Sequence, residues 1–114
     1  MSNPSPTPDS AALLDQLLGS LFEDFEFWFQ RGLLLLERTP ETLLPISEQQ
    51  RLRQQLQEGL AQILATRSLR GACPVPTAVD MGAMAPWHRL MMRVWNLSSM
   101  LRIAGVNLPE DGLR

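Results

Sequence analysis

The chain has 114 residues, of which 45% are hydrophobic and 19% charged, and its net charge is −2. That is enough for one domain around one core, and too apolar for a disordered chain. It excludes nucleic-acid binding, because no segment clusters the positive charge that backbone affinity needs, and the single Cys excludes an internal disulfide framework and suits a reducing compartment.

Residues 1–9 carry three prolines and nothing to bury, so they read as a disordered tail. No secretory signal is visible there, and no Arg that a transit peptide would need. Asp9 or Ser10 can cap the helix that follows, and Asp15 favours its dipole.

A first helix is expected from about Ser10 to Arg38. Leu14, Leu18, Leu21, Phe25, Trp28, Gly32 and Leu35 alternate in spacings of four and three, a coiled-coil-type seam. Leu17, Phe22, Phe29, Leu33 and Leu36 widen it, so the second half needs two neighbours. Gly32 lies on the seam, where a missing side chain lets another helix approach. The Leu33–Leu36 run is too short to span a bilayer, which takes about 20 apolar residues.

Pro40 ends this helix, and Pro45 delays the next. Leu43, Leu44 and Ile46 suggest a loop packed onto the core. Ser47-Glu48-Gln49-Gln50 matches a capping box, with Ser47 as cap and Gln50 reaching back. A second, amphipathic helix follows with Leu52, Leu56, Leu60, Ile63 and Leu64 on one face. Arg67 and Arg70 complement its dipole, and Gly71 terminates it. Pro74 and Pro76 keep residues 72–85 out of regular helix. A third helix should start near Pro86, with Trp87, Leu90, Met91, Val94, Leu97, Ser98 and Leu101 inward, and stop at Gly105. The expected architecture is all-α: a long antiparallel hairpin plus a third helix, forming a three-helix bundle. Residues 10–105 make one helical domain, and 106–114 a C-terminal tail.

Chemistry-bearing residues are sparse. His88 has no second His or Cys at ligand spacing, so no metal site is expected. A His near a helix start ordinarily hydrogen-bonds the loop; its functional alternatives are pH sensing or ligation of a haem or pigment. Cys73 reads as an inert loop thiol, with Arg67 and Arg70 close enough in sequence to make a reactive one conceivable. Trp28 and Trp87 read as core. Trp95 falls on the flank of the third helix near Met91, Met92 and Arg102, and is balanced between core and a partner surface. Trp, Met and Arg are the residue types enriched in buried interfaces. Arg31 reads either as a surface Arg pairing along its own helix or as an interface Arg beside Phe27.

Two stretches carry a resemblance. Asp24-Phe25-Glu26-Phe27-Trp28-Phe29-Gln30-Arg31 followed by Leu35-Leu36-Glu37, and Met84-Ala85-Pro86-Trp87-His88-Arg89-Leu90 followed by Val94-Trp95 and Leu101-Arg102, resemble the two motifs of a small cyanobacterial protein family of unknown function. Ala85 stands where that pattern has Met directly before Pro-Trp-His. The resemblance implies a cyanobacterial cytoplasmic setting, extending to the thylakoid surface, and a tie to photosynthesis. It names no catalytic residue. Trp28, Arg31, Trp87, His88, Trp95 and Arg102 match the motifs.

The sequence therefore leads to a non-enzymatic helical interaction protein, an assembly or regulatory factor. Phe27, Arg31, Met91, Met92, Trp95 and Arg102 are its candidate partner-binding residues. A homodimer would also bury the spare apolar face of the first helix. No catalytic residue, cofactor or metal is expected. The alternative is a small-ligand or pigment-binding bundle, using His88 or Cys73 in a pocket between the first and third helices. Membrane association would be at most peripheral, because Glu23, Asp24 and Glu26 oppose anionic lipid.

Overall fold

The computed structural model describes residues 8–72 and 81–108. It contains three α-helices, α1 (Pro8–Glu37), α2 (Ile46–Ala72) and α3 (Ala85–Ile103), with a short 3-10 helix (Met81–Met84) leading into α3. Among the described residues there is no strand. The expected all-α three-helix architecture is what the chain adopts. Cys73 and most of the second connection lie outside the described residues, as does most of the N-terminal tail.

α1 and α2 are antiparallel. Arg70 near the end of α2 pairs with Asp15 near the start of α1, and Arg67 pairs with Glu26. The Arg70 guanidinium also lies 5.2 Å from the Phe22 ring centroid, where the ring quadrupole attracts it. Both arginines are thus engaged with α1. α3 runs parallel to α1. Trp87 meets Phe22 and Phe25, Trp95 meets Trp28, and Asn107 beyond α3 accepts a hydrogen bond from Arg38 at 3.3 Å.

The core is Leu and Phe from α1, Leu and Ile from α2, and the seven expected residues of α3, Trp87, Leu90, Met91, Val94, Leu97, Ser98 and Leu101, all buried. Gly32 is the point where three helices touch. A Cβ there would lie 2.7 Å from Val94 Cγ2 and 2.9 Å from Leu56 Cδ1. Gly59 does the same for the Phe29 ring, at 2.7 Å from Cε2. Both approaches are closer than side-chain carbons tolerate.

Several local expectations need correction. α1 begins at Pro8, ahead of both expected caps, with Pro suited to a first helical position. Its first seam residue does not reach the core: Leu14 and Leu17 are exposed. α3 has 19 residues against 30 in α1, about 28 Å against 45 Å at the usual rise. It meets α1 from about Phe22 onward, so among the described residues the first turns of α1 face α2 and not α3. Leu64 of α2 is exposed beside the fully buried Ile63, off the stripe of Leu52, Leu56 and Ile63.

The capping box does not start α2. The Pro45 carbonyl accepts from the amides of Glu48 and Gln49 at 3.0 and 2.9 Å, so Ser47 already lies inside the first turn. The buried polar link is Gln49 instead. Its Nε2 donates to the carbonyls of Thr39 at 3.1 Å and Leu44 at 2.8 Å, fastening the loop to α2. Leu43 and Leu44 pack on the core as expected, whereas Ile46 is exposed.

Gly105 stops α3 with φ +78°. The Val106 amide donates to the Leu101 carbonyl at 2.9 Å and the Gly105 amide to that of Arg102 at 3.0 Å, the bond pair of a Schellman end. Val106 and Leu108 then pack against the core, so the start of the C-terminal segment belongs to the fold.

Candidate interaction surface

Most of the aromatic residues are inside. Phe22, Phe25 and Phe29 are fully buried. Trp87 stands edge-on to Phe22 and Phe25, with ring centroids 6.0 and 5.7 Å apart. Its indole Nε1 donates to Gln62 Oε1 at 3.0 Å, which satisfies the polar end of a buried ring.

The exception lies along the flank where α1 meets α3. Trp28, half-buried, stands perpendicular to Trp95 with centroids 5.8 Å apart, and Phe27 stands perpendicular to Trp28 at 5.3 Å. Trp95 is 43% exposed and Met92, one turn earlier, 55%. The spacing of α3 explains this. His88, Met92, Trp95, Ser99 and Arg102 recur at intervals of four, three, four and three, which puts them on one stripe beside the core face, and all five are exposed. The two indoles pair edge to face, a favourable aromatic geometry, and Trp95 stays partly open to solvent.

Of the expected partner-binding residues, this flank brings together Phe27, Met92, Trp95 and Arg102. Met91 and Arg31 do not belong to it. Met91 is buried against α1 on the core side of α3, and Arg31 is 6% exposed, engaged within the fold. Arg31 sits three residues after Trp28 and four before Leu35, on the same side of α1. Trp87 is a core residue and does not belong to this flank. His88 lies on the exposed flank with its imidazole edge-on to Phe25, centroids 5.1 Å apart.

A second concavity went unnoticed in the sequence. It lies between α2 and α3, on the opposite side of α3 from His88, and has a volume of about 400 Å³. Gly59, on the buried stripe of α2 with Leu52, Leu56 and Ile63, lines its base, with the Phe29 ring filling the space where a side chain would stand. Among the described residues, no group of three or more His, Cys, Asp or Glu could hold a metal ion, and no helix is long and apolar enough to cross a membrane.

The model of a family described as protein of unknown function (DUF2605) matches residues 8–103. The chain belongs to this family. The match takes in all three helices, so the Trp28 and Trp87 to Trp95 motifs are both inside it. No curated protein and no solved structure matches the chain.

Proposed function

We propose that this DUF2605 protein is a non-enzymatic interaction module that docks a partner protein on the α1/α3 flank. The observation that carries the reading is the edge-to-face Trp28–Trp95 pair, partly open to solvent beside Met92 while every other large ring but Phe27 is committed to the core. Trp is the residue type most enriched at binding hot spots, and Met repacks against varied partners. The flank is a shallow seam between two parallel helices. It suits an amphipathic helix laid along it, recognised by apolar anchors at one-turn spacing. Arg102 at one end of the stripe favours an acidic residue at the matching end of that helix.

The motif resemblance supports a cyanobacterial setting, in the cytoplasm or at the thylakoid surface, and a role in assembly or regulation linked to photosynthesis. The test is capture from a cyanobacterial lysate with tagged wild-type protein and with Trp95→Ala and Met92→Ala. The reading expects one dominant complex with the wild type, lost in both variants, whose melting temperatures stay close to the parent. A dimer mass in light scattering that Trp95→Ala abolishes would make the occupant a second copy. Capture unaffected by either substitution, or none at all from a monomer, would overturn it.

A further inference from the structure

The cleft lies between α2 and α3, where α3 is seated more closely on α1 than on α2. Trp87 donates to Gln62 at one end of it, and Arg93 donates to Gln55 Oε1 at the other. These two bridges are seven residues apart on α2, about 10 Å along the helix. Between them lie the exposed edges of Trp87 and Leu90, each 8% exposed, and the backbone of Gly59. The volume of about 400 Å³ falls within the range of small-molecule sites, whose usual plan is an apolar floor with a few polar groups.

The charged groups are unequal in number. α3 contributes Arg89 and Arg93, and α2 contributes Glu58, so the cleft carries one net positive charge. Each glutamine oxygen accepts one bridging hydrogen bond and keeps a second lone pair, and each amide also offers its NH₂ as a donor. The rim offers more donors than acceptors. The first turn of α3 adds the positive end of its dipole at Trp87, with no side chain capping it.

We propose that this cleft is a binding site for a small, flat, apolar molecule bearing one anionic group, such as an aromatic carboxylate or sulfonate. Its ring system lies on Trp87 and Leu90, and its anion meets the guanidinium forks of Arg89 and Arg93, whose geometry matches such groups. Glu58 sets the limit of one charge on the ligand by repelling a second. The site is separate from the α1/α3 flank and does not depend on the docking reading.

The test uses 1-anilinonaphthalene-8-sulfonate as probe, with uncharged N-phenyl-1-naphthylamine as its comparison. Binding is followed by fluorescence and by the three indole N–H resonances of the full chain. The expected result is one saturable site preferring the sulfonate by about tenfold or more, the scale of a hydrogen bond to a charged group. The Trp87 indole resonance should move, while those of Trp28 and Trp95 stay. Arg89→Gln combined with Arg93→Gln should abolish the preference at unchanged helical content, and Glu58→Gln should tighten sulfonate binding. No saturable binding, equal affinity for the two probes, an unaffected double variant, or movement of the Trp28 and Trp95 resonances instead would overturn the proposal.

Discussion

Replacing Gly32 with Ala sets two effects of known size against each other. In a helix interior Ala is favoured over Gly by about 1 kcal/mol. Against this, the new methyl would stand 2.7 Å from Val94 Cγ2 and 2.9 Å from Leu56 Cδ1, where carbon contacts prefer about 3.5–4.0 Å. Leu56 can swing its terminal carbons, but the Val94 methyl is one bond from its Cβ on a side chain that helices hold to one rotamer. Both are fully buried, so α3 itself must shift. Overpacking of this kind costs about 1–3 kcal/mol. The net expectation is a loss of about 1 kcal/mol, or roughly 4–8 °C in melting temperature for a domain this size. Urea unfolding followed by far-UV circular dichroism measures it. The cause is isolated by a cycle with Val94→Ala, which alone should cost about 2 kcal/mol. With Ala at position 32 the vacated space is filled, so the pair should couple by about 1 kcal/mol or more. Additivity within about 0.5 kcal/mol, or a Gly32→Ala variant more stable than the parent, would refute the three-helix contact.

Further outcomes follow from individual residues. Gln49→Leu keeps the volume but leaves the Thr39 and Leu44 carbonyls without their donor, and should lose about 1–3 kcal/mol in the same unfolding assay. Ser47→Ala and Gln50→Ala, the residues of the apparent capping box, should each change stability far less. Gly105→Ala forces a side chain into the positive-φ region and should cost about 1–2 kcal/mol. Amide exchange should then speed up at Val106, whose hydrogen bond closes the end of α3.

The sequence was most legible where one helix packs in one place. Every expected inner residue of α3 is buried because an amphipathic helix with a single apolar face has only one way to hide it. Gly32 was readable for the same reason, as a gap in an otherwise bulky seam. The first turns of α1 were not. Heptad spacing says which side of a helix is apolar, but not how far its neighbours extend, and α3 ends short of Leu14 and Leu17. Arg31 shows a different limit. Its charge argued for the surface, while its position beside Trp28 and Leu35 decided its burial. At the start of α2 a strong local signature, Ser47 to Gln50, was overridden by Pro45, which had already begun the helix. Of the aromatic flank, Trp95 and Met92 were legible from their offset beside the core face. The α2/α3 cleft was hidden because it depends on the side of α1 that α3 occupies, a tertiary choice that no local pattern records.

The docking flank is tested most directly by photo-crosslinking. A benzoylphenylalanine in place of Met92 would sit on the exposed stripe, and the same group in place of Gln57 on the exposed outer face of α2 serves as the comparison. Irradiation in a cyanobacterial lysate should give one dominant adduct from position 92 and none from position 57, and Trp95→Ala should remove it. No adduct from position 92, or the same products from both positions, would contradict the assignment of this flank as the partner surface.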